Sequence, residues 1–275
     1  MTGNGDLAAT GVRTLLLLGC GRMGSAMLEG WLARGLEPSG VQVIEPKPSD
    51  RLVALAAKGL VLNPAVPLPA DVAVIAVKPQ MMGDAAPALV PLAEGGALMV
   101  SIAAGTPIAA FERMYGTGTR IVRAMPNTPC AIGRGVSALV GNRAAGDDGL
   151  AMAEALMAAV GETVRLDDES QMDAVTGLSG SGPAYVFHLI EAMAAAGEAE
   201  GLAPDLAMRL ARATVTGAGA LAETDPTPAA GLREAVTSPG GTTAAGLGIL
   251  RPELTDLMTR TVAAAAARGR ELAKG

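Results

Sequence analysis

The chain has 275 residues, half of them apolar and only 17% charged, a balance that excludes a disordered polyanion and supports either one large core or two modest ones. Twenty-one basic residues against 27 acidic ones give a net charge of −6, and with one Trp, two Tyr and two Phe there is no stacking platform, so nucleic acid is excluded as a partner. Two cysteines, Cys20 and Cys130, and one histidine, His188, are too few for a zinc site or a disulfide framework, and fit a reducing, cytoplasmic compartment.

Residues 1–13 are small and polar, with no basic start and no apolar stretch of signal-peptide length, and read as a loose tail. The apolar runs Leu15–Leu18, Val41–Ile44, Val72–Val77 and Leu98–Ile102 have the near-continuous character of parallel strands buried on both faces. Helical stretches 24–34 and 49–58 follow the first two, the second with Ser49-Asp50 placed as its N-cap. The apolar region from Ala85 to Ala110 is broken by Pro87, Pro91, Gly95-Gly96, Gly105 and Pro107 into helix, turn and strand, so no membrane span is expected.

Arg120–Met125 and Val136–Val140 flank the turn Pro126-Asn127-Thr128-Pro129, and Val164–Leu166 reads as a final edge strand after a helix over 148–160. Beyond Asp168 the strand signals stop. Ala-rich helical periods follow at 183–200, 204–223, 228–236, 243–250 and 252–272. The expected architecture is α/β, with residues 1–168 a dinucleotide-binding domain around a doubly wound, mostly parallel sheet and residues 169–275 a helical domain. Helices dominated by Ala bury little volume, so they are expected to complete their burial against a second subunit.

Gly19-Cys20-Gly21-Arg22-Met23-Gly24 is a G-x-G-x-x-G between a predicted strand and a predicted helix, the context that marks a dinucleotide fingerprint. Its glycines let backbone approach a pyrophosphate, and the helix start adds amide donors. Cys20 fits there as a small residue. Glu45 ends the second strand about 20 positions on, where an acidic side chain takes the ribose hydroxyls of NAD; it reads equally as a solvated loop carboxylate. Lys47 can instead pair with the extra phosphate of NADP. The runs into Lys78-Pro79-Gln80 and Ala103-Ala104-Gly105 end at strand tips, where open α/β sheets bind ligands and small residues leave room for a flat ring.

Reduction of a ketone needs a proton donor, and here donors are scarce. Lysines occur only at 47, 58, 78 and 274; His188 lies in an apolar run and reads as a buried helix histidine, and Tyr185 reads as packing. An imine takes its proton from water, so it asks the protein only for positioning and one or two hydrogen bonds. Thr237-Ser238-Pro239-Gly240-Gly241-Thr242-Thr243 is a glycine turn opening a helix, whose free amides suit a carboxylate; Thr242 reads equally well as a plain N-cap.

In order behind the fingerprint come Ala76-Val77-Lys78-Pro79, Met125-Pro126-Asn127-Thr128-Pro129, Gly177-Leu178-Ser179-Gly180-Ser181-Gly182-Pro183-Ala184-Tyr185 and Val236-Thr237-Ser238-Pro239-Gly240-Gly241-Thr242-Thr243. Together these resemble the pyrroline-5-carboxylate reductases, from about Leu15 to the end of the chain. The resemblance implies an N-terminal Rossmann domain, an all-α C-terminal domain that interlocks into a homodimer, and in many members rings of dimers. It implies reduction of 1-pyrroline-5-carboxylate to L-proline by NADPH or NADH, the last step of proline biosynthesis. It places cofactor contacts on Leu18 to Met23, Asn63, Ala76 to Pro79, and Ile102, Ala103 and Ala104. Substrate contacts fall on Ser238, Gly240, Gly241, Thr242 and Thr243, with the Thr243 hydroxyl near the ring nitrogen. A hydroxy-acid dehydrogenase of the same plan and a non-enzymatic NAD(P) sensor are the competing expectations.

Overall fold

Four consecutive leucines open the first strand, and all four are buried because alternate side chains enter two different cores. The computed structural model describes residues 11–272. Leu15 and Leu17 join a cluster with Met27, Leu28, Trp31 and Leu156 on one face of the sheet. Leu16 and Leu18 join Met82, Leu92, Ile108 and Phe111 on the other. Each such leucine is worth about 1.5–3 kcal/mol removed from water, which explains why a continuous apolar run marks a strand covered by helices on both sides.

The elements in chain order are β1 (Leu15–Leu18), α1 (Arg22–Ala33), β2 (Val41–Ile44), α2 (Asp50–Ala56), β3 (Val61–Leu62), β4 (Val72–Ile75), α3 (Met82–Ala85), α4 (Val90–Glu94), β5 (Leu98–Ser101) and α5 (Ile108–Tyr115). They continue with β6 (Ile121–Met125), β7 (Gly135–Gly141), α6 (Gly146–Ala158), β8 (Gly161–Arg165), α7 (Met172–Val175), α8 (Gly182–Ala199), α9 (Pro204–Thr224), α10 (Ala229–Ala235) and α11 (Thr242–Leu272). The strands form one sheet in the order β3-β2-β1-β4-β5-β6-β7-β8. All neighbours run parallel except β6 and β7. The order reverses between β1 and β4, the crevice where doubly wound sheets take ligands.

Ser49 caps α2 as expected, its hydroxyl accepting from the Leu52 amide. Other expectations need correction. Val12 is buried and the Arg13 amide bonds Asp71, so the end of the proposed tail is anchored; residues 1–10 lie outside the described residues. Four elements, β3, α3, α5 and α7, were not anticipated; β3, α3 and α7 are too short to show a period. The expected helical periods 243–250 and 252–272 are one helix, with no break before Pro252. Proline removes one amide and its ring needs space at the carbonyl four residues back; that residue is Gly248, and α11 runs on through it.

The chain divides into two compact units. One comprises the sheet and its helices through Gly180 together with α11 from Ala265, and the other comprises 181–264. The sheet unit thus continues past Asp168. Asp168 caps the turn at Glu169–Gln171 through the Ser170 amide, with Gln171 reaching back to complete a capping box.

Candidate functional site

Register sets the first part of the site. Ile44 pairs with Leu18, Leu18 with Ile75 and Ile75 with Ser101, so the carboxyl ends of β2, β1, β4 and β5 form one row. That row brings together the residues that follow each strand: Glu45, Gly19 to Gly24, Ala76 to Pro79, and Ile102 to Ala104. Gly19 adopts a left-handed φ of +88°, and a Cβ there would lie 2.9 Å from Val77 Cγ1 and 3.0 Å from the Ala76 carbonyl oxygen. A Cβ on Gly24 would overlap the Gly19 carbonyl oxygen, so α1 starts directly against the turn. Gly21, the N-cap of α1, differs: nothing lies within 4 Å of a Cβ, and no side chain caps the helix. The first amides of α1, at Arg22 and Met23, therefore have no side-chain cap beside an open position, which fits a diphosphate.

Cys20 is buried, and that burial, only partly offset by the Ser25 hydroxyl, pushes its thiol above the ordinary range. It is a small space-filling group and no nucleophile. Glu45 accepts from the Cys20 amide at 2.9 Å and from the Lys47 amide at 3.0 Å. Asn63, directly after β3, has φ +50° and brackets the Glu45 backbone: its Oδ1 accepts from the Glu45 amide at 2.8 Å and its Nδ2 donates to the Glu45 carbonyl at 3.0 Å. Lys78 is exposed at the start of the turn Pro79–Met81, whereas Ala103 is buried just beyond β5.

One ionic link was not anticipated. Arg123, 4% exposed on β6, donates from Nη1 to Glu169 Oε1 at 2.9 Å, and the same oxygen accepts from the Ile108 amide at 2.9 Å. The available signal was an arginine inside the apolar run Ile-Val-Arg-Ala-Met, where only a paired charge can be buried. Nearby, Asn127 joins two of the motifs by donating from Nδ2 to the Ser179 carbonyl at 3.3 Å while its Oδ1 accepts from the Val136 amide.

The second part lies in the helical unit. Thr237 closes α10 with its hydroxyl on the Arg233 carbonyl at 2.6 Å, and the chain then turns through Gly240, φ +70°, into α11. The Gly241 amide is used within the turn, donating to Ser238 at 3.0 Å. The amides of Thr242, Thr243 and Ala244 are the first donors of a long helix. Thr242 and Thr243 are exposed, and Gly241 rather than Thr242 precedes the helix. An open groove of about 930 Å³ between α10 and α11 begins at Thr237 and Ala244 and includes Arg233 and Arg251, but none of Ser238 to Thr243 lines it.

His188 is not buried. Its side chain is 81% exposed and its Nδ1 lies 3.0 Å from Glu191, because α8 in a single chain leaves that face uncovered. Among the described residues no three potential ligands gather to hold a metal ion, and no helix is long and apolar enough to cross a membrane.

Residues 169–272 match the family description "Pyrroline-5-carboxylate reductase dimerisation", and residues 14–105 match "NADP oxidoreductase coenzyme F420-dependent". The chain is 38% identical to a pyrroline-5-carboxylate reductase of Pseudomonas aeruginosa over 264 residues, covering 94% of this chain and 97% of that one. Its fold superposes with a TM-score of 0.88 on a pyrroline-5-carboxylate reductase from Coxiella burnetii, at 33% identity and covering 96% and 100% of the two chains. A Plasmodium falciparum pyrroline carboxylate reductase with NADP bound follows at TM-score 0.78 and 28% identity, covering 94% and 98%. With the glycine fingerprint and the helix-opening turn both in place and the likeness running through both units, the chain belongs to the pyrroline-5-carboxylate reductase family.

Proposed function

We propose that this protein reduces 1-pyrroline-5-carboxylate to L-proline with NADPH or NADH, closing proline biosynthesis in the cytoplasm, and that it works as a homodimer or a ring of such dimers. The observation that carries the reading is the single row of strand ends that presents Gly19 to Gly24 and Ala76 to Pro79 along one edge. Gly21 leaves space for a diphosphate beside the first amides of α1, and the small side chains of Ala103 and Ala104, the first buried and the second exposed beyond β5, suit a flat ring above them. NAD(P)H, when bound, supplies the hydride. In the helical unit the amides of Thr242 and Thr243 hold the substrate carboxylate, and Ser238, Gly240 and Gly241 shape the turn around it. The Thr243 hydroxyl holds the ring nitrogen, which takes its proton from water.

The dimer follows from burial. In the helical unit the buried apolar cluster consists of Ala194, Ala207 and Ala211. Phe187, Leu210, Leu221, Val236 and Ile249 are exposed. So much open apolar surface requires cover, and a second copy supplies it symmetrically.

The test is the rate of NADH and NADPH oxidation with pyrroline-5-carboxylate, with proline identified as product. Thr243→Ala should lose about 1.5–3 kcal/mol of transition-state stabilisation, about one to two decades in kcat/KM. An unchanged kcat/KM removes Thr243 from the mechanism. Dinucleotide binding without imine-dependent turnover overturns the reading in favour of a sensor.

A further inference from the structure

We propose that Glu45 makes this chain selective for NADH over NADPH, an inference that rests on the reading of the strand-end cradle as an NAD(P)H site. Family membership leaves that choice open. The geometry of Glu45 does not.

Four hydrogen bonds fix the residue. Its Oε2 accepts from the Cys20 amide at 2.9 Å and its Oε1 from the Lys47 amide at 3.0 Å, so the carboxylate is clamped against the glycine turn. Its backbone amide and carbonyl are both bound by the side chain of Asn63, which the left-handed backbone of that residue turns toward β2. Swinging the carboxylate away would strip acceptors from two amides.

A carboxylate offers about four acceptor sites. Here each oxygen spends one on an amide and keeps one, which suits the two neighbouring hydroxyls of an adenine ribose, both donors. A 2′-phosphate is an anion at neutral pH and brings acceptors in place of a donor. At this position it would meet a negative group that is held in place.

Cations nearby do not reverse the balance. Arg51 is engaged by Glu29 through two bonds, at 2.6 and 2.8 Å. Lys47 and Arg22 are exposed, on flexible stems and screened by solvent. The fixed charge is the carboxylate.

Calorimetric titration of the full chain with NAD⁺, NADP⁺, 5′-AMP and 2′,5′-ADP tests this without turnover, since each pair differs only in the phosphate. The parent should bind NAD⁺ and AMP about 30-fold more tightly than their phosphorylated partners, the effect of exchanging a charge-assisted hydrogen bond for a like-charge contact. Glu45→Gln and Glu45→Ser should narrow that gap to about threefold, as the anion is removed. The proposal is overturned if the parent binds NADP⁺ as tightly as NAD⁺, a result that needs no variant to fold, or if the preference survives Glu45→Ser. Binding of neither dinucleotide overturns the cofactor reading itself.

Discussion

Alanine at Gly21 and alanine at Gly24 should fail in opposite ways, although the two positions are one helical turn apart. At Gly24 the new methyl would overlap the Gly19 carbonyl oxygen and lie 3.6 Å from Leu17 Cδ2. The overlapped atom is backbone, so relief requires α1 to lift from the turn. Overpacking of this kind costs about 1–3 kcal/mol, and a displaced helix start should weaken NAD(P) binding about tenfold. At Gly21 the methyl meets no protein atom within 4 Å, and the backbone, φ −69° and ψ −161°, is extended. Stability should therefore stay within about 0.5 kcal/mol of the parent, while the methyl fills the space offered to the diphosphate and lowers affinity tenfold or more. Urea denaturation and calorimetric titration separate the two quantities. Parent-like nucleotide affinity in Gly21→Ala, or a parent-like urea midpoint in Gly24→Ala, would refute the assignment of one glycine to the ligand and the other to packing.

Three further outcomes are expected. Burial works to raise the Asp71 carboxyl, but the amides of Arg13 and Thr14 and the Thr14 hydroxyl outweigh it and hold it below the usual range. A depressed folded value means stability that is present at neutral pH and lost in acid, so Asp71→Asn should cost about 1–2 kcal/mol at pH 7, with the gap in urea midpoint closing below about pH 4. Glu169→Ala leaves the Arg123 guanidinium buried without its counter-ion and should destabilise by about 3 kcal/mol in the same assay. His188→Ala should leave kcat/KM unchanged, since the ring is exposed on α8 and pairs with Glu191; a large loss would favour a hydroxy-acid dehydrogenase, which needs such a proton donor.

Most of the sheet was legible because its strands are buried on both faces, so Leu15–Leu18 and Val41–Ile44 stand out as unbroken apolar runs with boundaries that the structure reproduces. The glycine fingerprint was legible because its spacing follows from local needs, steric at Gly19 and Gly24 and open space for a ligand at Gly21. What escaped depends on partners distant in sequence. Arg123 belongs in a strand only because Glu169 arrives 46 residues later. Glu45 was read as either a ribose ligand or a solvated carboxylate, and only the fold brings the Cys20 amide to it. His188 was misread because a helix bounded by apolar residues looks interior, whereas its cover is absent from a single chain. The periods 243–250 and 252–272 were read as two helices, whereas the glycine four positions before Pro252 leaves room for its ring and the helix is continuous.

α11 leaves the helical unit at Ala264 and ends within the sheet unit, where Ala266 and Gly269 are buried and a Cβ on Gly269 would lie 3.1 Å from Asp173 Oδ1. The sheet unit is therefore discontinuous in sequence: a stretch of α11 that follows the whole helical insert returns to it beside Asp173 of α7. Loosening the end of α11 would disturb the unit that carries the glycine turn as well as the helix itself.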